Sequence, residues 1–309
     1  MEFIKGFTFG WDSQKGYFKT ERAKESLRLL QERTASEYVI IALAARQETA
    51  HTTEIDYRGS HMVADDELVE MIEYAKSLGL KVILKPTVNC KDGTWRAHIN
   101  FFDHDVPCEP KWRDWFASYT AYQKHYASIA EETACDLFIV GCEMVQTERR
   151  EDDWRQLITE VRQLYKGLVT YNTDKYQENH VKFWDALDLI SSSGYYPIDD
   201  WDNQLDRIEA VVKKYDKPFF FAEAGCPSRT GSSQIPNDWS LEGVVNLQEQ
   251  ADYYRVMFEK TEDKSWIGGF GLWDWQTYLY HEDEAKQNDD YGVYGKPAEK
   301  VIKAYYQSR

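Results

Sequence analysis

The sequence predicts a single (β/α)8 barrel over residues 1–309. Three observations lead there. Eight short apolar runs alternate with amphipathic stretches, no linker interrupts the alternation, and 309 residues suit one barrel with long loops. Alternation of this kind implies parallel pairing, and eight units imply closure.

The elements follow in order. "FIKGFTFG" (3–10) is a first strand, rich in aromatic and β-branched residues, and "TERAKESLRLLQERT" (20–34) has helical spacing. "EYVIIALAA" (37–45) is strand two. "ADDELVEMIEYAKSLG" (64–79) is a helix with an acidic first turn and a closing glycine. "LKVILKPTV" (80–88) is strand three; a long loop then leads to the helical stretch 112–133. "CDLFIVGCE" (135–143) is strand four, with its helix at 152–165. "GLVTYNT" (167–173) is strand five, followed by a short helical piece near 178–185. "LDLISSSGYY" (187–196) is strand six, with a helix at 203–215. "PFFFAEAG" (218–225) is strand seven, with a helix at 247–261. "WIGGFGLWDW" (266–275) is strand eight, and a helix at 297–307 closes the chain. The competing architecture is an open doubly wound sheet. It usually carries a glycine-rich phosphate loop after strand one, and "GFTFGWDS" supplies no GxGxxG.

Composition narrows the partners. With 53 acidic and 37 basic residues the formal net charge is -16, which disfavours nucleic acid and leaves a neutral substrate unaffected. Aromatic residues make up 15% of the chain, including 11 Trp and 21 Tyr, enough to line a sugar cleft as well as a core. No run approaches the ~18 apolar residues of a membrane span. Cys90, Cys108, Cys135, Cys142 and Cys226 are odd in number and form no CxxC, so free thiols in a reducing compartment are expected. "MEFIKGFTFGW" reads as a strand at once rather than as a signal peptide. A cytoplasmic monomer is the expectation, or a secreted one if a native leader precedes this chain.

In such a barrel the chemistry gathers at the C-terminal strand ends. Those ends offer Trp11 and Asp12 from strand one, Arg46 from strand two, and Lys85 and Asn89 from strand three. Glu143 follows from strand four, Asn172 from strand five, and Tyr195 and Tyr196 from strand six. Strand seven adds Glu223, and strand eight adds Trp273, Asp274 and Trp275. Glu143 and Glu223 each end a strongly apolar strand. A buried carboxylate costs free energy unless it is paired or used. Two carboxylates in different surroundings can divide acid and nucleophile roles, as in glycoside hydrolysis. Lys85 interrupts an apolar strand and needs a partner, either a carboxylate or a substrate hydroxyl. Asn89 is a candidate sugar ligand or a loop cap. Glu148, five residues beyond Glu143, reads as a solvated loop charge.

Other chemistries fit less well. None of the seven histidines forms HxH or lies at a strand end, so no metal site is expected. A serine hydrolase would need GxSxG, which is absent. A catalytically silent glycan-binding barrel would keep the aromatics, but has no need of both glutamates.

Taken in order, "GFTFGWDS" (6–13), "KPTVN" (85–89), "FIVGCEM" (138–144), "GYYP" (194–197), "FFFAEAGCPS" (219–228) and "GLWDW" (271–275) resemble clan A of the glycoside hydrolases. More narrowly, the whole chain resembles the β-mannanases of glycoside hydrolase family 113. The resemblance implies a retaining endo-β-1,4-mannanase without cofactor or metal, acting on β-mannan or manno-oligosaccharides; another clan A β-glycosidase is the alternative. It implies Glu143 as acid/base and Glu223 as nucleophile. It puts Trp273 against the sugar, Arg46 beside the nucleophile, and a donor to Glu223 on Tyr195 or Tyr196. Trp11 and Asn172 join as substrate contacts. Cys142 stands where most of the clan has an asparagine that binds the sugar 2-hydroxyl. Segments 90–111 and 228–246 are expected to shape the subsites.

Overall fold

A computed structural model describes residues 2–309. Eight strands close into a parallel barrel in chain order. They are β1 (Ile4–Phe9), β2 (Tyr38–Gln47), β3 (Lys81–Cys90), β4 (Leu137–Cys142), β5 (Leu168–Thr173), β6 (Ile190–Ser193), β7 (Phe219–Glu223) and β8 (Ile267–Trp275). Seven α-helices surround them: α1 (Glu21–Thr34), α2 (Asp65–Ser77), α3 (Trp112–Glu132), α4 (Glu151–Leu164), α5 (Trp201–Tyr215), α6 (Leu247–Thr261) and α7 (Pro297–Ser308). Local chemistry sets their ends. The Thr20 side chain caps α1 by accepting from the Ala23 amide, Asn246 caps α6 likewise, and Pro297 sits in the first turn of α7. No helix among the described residues is long and apolar enough to cross a membrane.

The fifth unit departs from expectation. The piece near 178–185 is not an α-helix; only a 3-10 turn, Trp184–Ala186, connects β5 to β6. Packing explains this. Phe183 and Trp184 are both buried, Phe183 stacks on Trp154 at 5.4 Å, and the Trp184 indole donates to the Glu178 carbonyl. Two large rings cover the strands where a helix would otherwise lie.

Two apolar layers result. Ile4, Ile40, Ile83, Ile139, Leu189 and Phe220 are among the residues that fill the barrel interior, and a much larger cluster packs strands against helices. Above the interior plug, three strands change register. Three residues of β4 (Val140 to Cys142) match two of β5, because Ile139 pairs with Thr170 and Cys142 with Asn172. In β7, Phe221 pairs with Ser192 but Glu223 with Ser193, so Ala222 is the extra residue. In β8, Leu272 pairs with Phe7 and Trp275 with Phe9. Extra residues of this kind bend a strand and re-aim the next side chain. Those in β4 and β7 sit just before Cys142 and Glu223, and that in β8 falls within Trp273–Trp275.

Gly225 shows how tight this end of the barrel is. A Cβ there would lie 2.4 Å from the Trp273 carbonyl oxygen and 3.1 Å from the Tyr254 hydroxyl. Gly225→Ala should therefore cost about 1–3 kcal/mol of stability, as overpacking does, and shift the Trp273 backbone. Denaturant melts check this; an unaltered midpoint would mean that β8 yields freely.

Candidate active site

Glu223 is buried at the end of β7, where the register change turns it toward the barrel mouth. Its partners come from β3, β4 and the segment just after β6. Lys85 Nζ donates to Oε1 at 2.6 Å, the Tyr195 hydroxyl donates to Oε2 at 2.9 Å, and the Cys142 thiol lies 3.3 Å from Oε1. Lys85 arrives there because it follows Ile83 by two positions on β3 and shares its inward face. Burial pushes the Glu223 carboxyl up, but the charges of Lys85 and Arg96, with the bonds from Lys85 and Tyr195, outweigh it and hold the group below the ordinary carboxylate range. Glu223 is thus kept as a carboxylate.

Glu143 follows β4 directly and adopts left-handed backbone, φ 53°. For a non-glycine residue this costs about 1–3 kcal/mol and persists where the surroundings enforce it. Its amide donates to the Asn172 carbonyl at 2.7 Å. Its carboxyl accepts from Ser193 Oγ at 2.7 Å on Oε1, and from Arg96 at 3.0 Å and the Trp95 indole at 3.4 Å on Oε2. Arg96 is fixed in turn by the Cys142 carbonyl and by Asn89 Oδ1, both at 2.9 Å. An oxygen of Glu143, an oxygen of Glu223 and Cys142 Sγ lie within 4.8 Å of one another.

Indoles wall the space above. Trp273 and Trp11 sit 5.3 Å apart, and the Trp11 indole donates to Asp274 at 2.5 Å. The Trp273 indole N–H is buried without a protein partner, so a polar group in the cavity is its natural acceptor. Trp239, 56% exposed, packs 4.7 Å from Tyr291, and Trp95, 40% exposed, stands on the loop after β3. The cavity holds about 600 Å³. Segment 90–111 supplies Gly93, Thr94, Trp95 and Arg96, and segment 228–246 supplies Asn237 and Trp239. Asp174 and Lys175 complete the wall. Burial, then the charge on Glu143, pushes the Asp174 carboxyl up to about 7.

Of the eleven residues given a catalytic or substrate-contact role from the sequence, eight meet here: Glu143, Glu223, Lys85, Cys142, Tyr195, Trp11, Trp273 and Asn89. Cys142 lies fully buried beneath the cavity, and Asn89 reaches it while holding Arg96. The structure places the other three elsewhere. Arg46 is not beside Glu223. Its β3 partner is Asn89, whereas Lys85 pairs with Ala42; four residues of strand put Arg46 roughly 13 Å further out. It is exposed and makes a backbone bridge to Asp56. Tyr196 turns away and donates to buried Glu178 at 2.7 Å, so Tyr195 is the tyrosine on Glu223. Asn172 is wholly buried with its amide committed to the Thr173 carbonyl and Ser193 Oγ, so it acts behind the cavity. Glu148 is also no solvated charge: it is buried and accepts from Tyr171 and Thr173.

Arg96, Ser193, Trp95, Asp174 and Trp239 were not singled out from the sequence. Arg96 and Trp95 form the "WR" pair in the long loop after β3. A cation next to an indole beyond a strand that already carries Lys85 was their only local signal.

A cation could geometrically reach Cys142, Glu143 and Glu223. Lys85 and Arg96 already occupy oxygens of the two carboxyl groups that a cation would need, and burial pushes the thiol up, so it keeps its proton. The groups suit proton transfer and nucleophilic carboxylate chemistry instead. A fixed carboxylate facing a second carboxyl, with stacking faces above them, puts the chain among the barrel glycoside hydrolases. Similarity to known proteins agrees. Residues 7–296 match the sequence model of Glycoside Hydrolase Family 113, and the chain belongs to that family. Two solved structures of GH113 β-1,4-mannanases share 79% and 80% identity with it, each with TM-score 0.99 and 100% of both chains covered. The GH113 β-mannanase AaManA from Alicyclobacillus acidocaldarius, solved in complex with ManMIm, shares 45% identity at TM-score 0.96, covering 100% of this chain and 98% of that one. No curated protein sequence matches.

Lys85→Met should move the acidic limb of the activity profile to higher pH. Lys85 is the largest influence lowering the Glu223 pKa, and its loss leaves burial to raise it. The sign for stability is the same: the lowered Glu223 pKa stabilises the fold above the ordinary carboxylate range and is lost as pH falls through it. A kcat/KM profile between pH 3 and pH 8 reads the shift, and an unmoved limb would assign that limb to another group.

Proposed function

We propose that the chain is a retaining endo-β-1,4-mannanase that works by double displacement. The observation that carries the mechanism is the close approach of the two carboxyl groups, with oxygens within 4.8 Å. Retaining enzymes need about 5–5.5 Å between the carboxyls, so that one attacks the sugar directly; inverting enzymes need about 6.5–9.5 Å to seat a water. The identity of the substrate is supported by relatives at 79% and 80% identity that are β-1,4-mannanases.

In the first step Glu223 attacks the anomeric carbon. Glu143 gives its proton to the departing glycosidic oxygen, and the bond from that oxygen to the anomeric carbon breaks. Lys85 and Tyr195 keep Glu223 ionised and aimed, while Ser193 and Arg96 orient Glu143. In the second step Glu143, now a carboxylate, takes a proton from water as the water oxygen displaces Glu223. A second sugar in place of water would give transglycosylation.

Product analysis on mannohexaose, cellohexaose and xylohexaose in parallel tests the substrate. Internal cleavage of mannohexaose is expected, with the β-anomer of the new reducing end formed first by NMR. No turnover of mannohexaose would remove the reading, and a first-formed α-anomer would remove retention.

Glu223→Ala tests the nucleophile. It should abolish turnover with the fold intact, and azide should restore activity on an activated aryl β-mannoside as the inverted α-mannosyl azide. Near-normal rates without azide would reassign the nucleophile.

A further inference from the structure

We infer that Tyr171 and Glu148 are positioning residues for Glu143, acting through the Met144 amide to hold the left-handed turn that aims its carboxyl. The inference rests on the acid/base role proposed for Glu143.

The turn needs holding because Glu143 has φ 53° and lacks glycine's freedom. Its own amide is engaged by the Asn172 carbonyl. The next amide, that of Met144, donates to the Tyr171 hydroxyl at 3.0 Å. That hydroxyl has one proton and gives it to Glu148 Oε1 at 2.8 Å. Thr173 Oγ1 donates to the same oxygen at 2.7 Å. The Met144 carbonyl is also held, by Thr147 Oγ1 at 2.7 Å, and the Trp154 indole holds Thr147. The amide and the carbonyl of Met144, the residue after Glu143, are thus both tied to buried side chains.

The Tyr171 ring cannot swing out of this chain. It lies 4.9 Å from Trp154 and 5.5 Å from Phe183. Gly141 makes the approach possible: a Cβ there would lie 2.8 Å from Trp154 and 2.9 Å from Tyr171. Neither Tyr171 nor Glu148 lines the cavity, and neither hydrogen-bonds Glu223. Burial pushes the Glu148 carboxyl up to about 8. A protonated carboxyl keeps one carbonyl oxygen as acceptor, which fits both donors meeting on Oε1. A glutamine would offer the same acceptor.

The test separates positioning of the acid from general damage by leaving group. An oligosaccharide leaving group needs a proton from Glu143; dinitrophenolate does not. Tyr171→Phe and Glu148→Leu should lose about ten- to a hundredfold in kcat/KM on mannohexaose, as a misplaced catalytic group does, yet stay near wild type on a dinitrophenyl β-mannobioside. Glu148→Gln should spare both substrates. Glu143→Ala, run alongside, should show the same selectivity more strongly. Equal losses on both substrates in Glu143→Ala would remove its acid/base role and this inference with it. Selective loss in Glu143→Ala, but equal loss or none in folded Tyr171→Phe and Glu148→Leu, would overturn the inference alone. Should Tyr171→Phe fail to fold, Glu148→Leu against Glu148→Gln decides.

Discussion

The ion pair between Lys85 and Glu223 is the interaction on which the site depends. Both groups are almost fully buried, and each alone would be costly at the top of an apolar barrel. Together, with Tyr195 satisfying the second oxygen, they let a charge stand where water is scarce. Arg96 extends the same logic to Glu143 and adds its field to Glu223. Each of the two carboxyl groups thus has its own cationic partner.

Regular barrel geometry would not deliver this arrangement. Parallel strands with unbroken alternation send successive side chains to opposite sides. The extra residues in β4 and β7 break that alternation just where Cys142 and Glu223 must turn inward. β2 and β3, by contrast, pair without a shift over ten residues. They carry Lys85 on ordinary alternation, and they carry Arg46 too far out to take part. One set of strands stays regular and supplies the cation; the other bends and supplies the groups it serves.

This contrast explains what could be read in advance. The eight strands and most helices were legible because apolar period and length are local properties. Glu143, Glu223 and Lys85 were legible because a charge ending or interrupting an apolar strand is conspicuous. Arg46 misled because strand-end position was taken from apolar run length, and β2 runs on to Gln47, beyond the expected boundary at residue 45. Tyr195 and Tyr196 are adjacent, and only the direction of the chain after β6 separates their roles. Arg96 was hidden in an irregular loop. Glu148 looked like loop charge because its burial comes from α4 and β5, which no local pattern announces.

Cys142 has a consequence for stereochemistry. Mannose differs from glucose in bearing its 2-hydroxyl axial rather than equatorial. An asparagine before Glu143 could grip that hydroxyl through its amide. Here the thiol is turned down onto Glu223 at 3.3 Å, and the nearby Asn172 amide is spent on Thr173 and Ser193. Neither offers the sugar a strong donor at C2. Discrimination between epimers then falls to the groups that border the cavity from the side, and to the shape the indoles leave above Glu223.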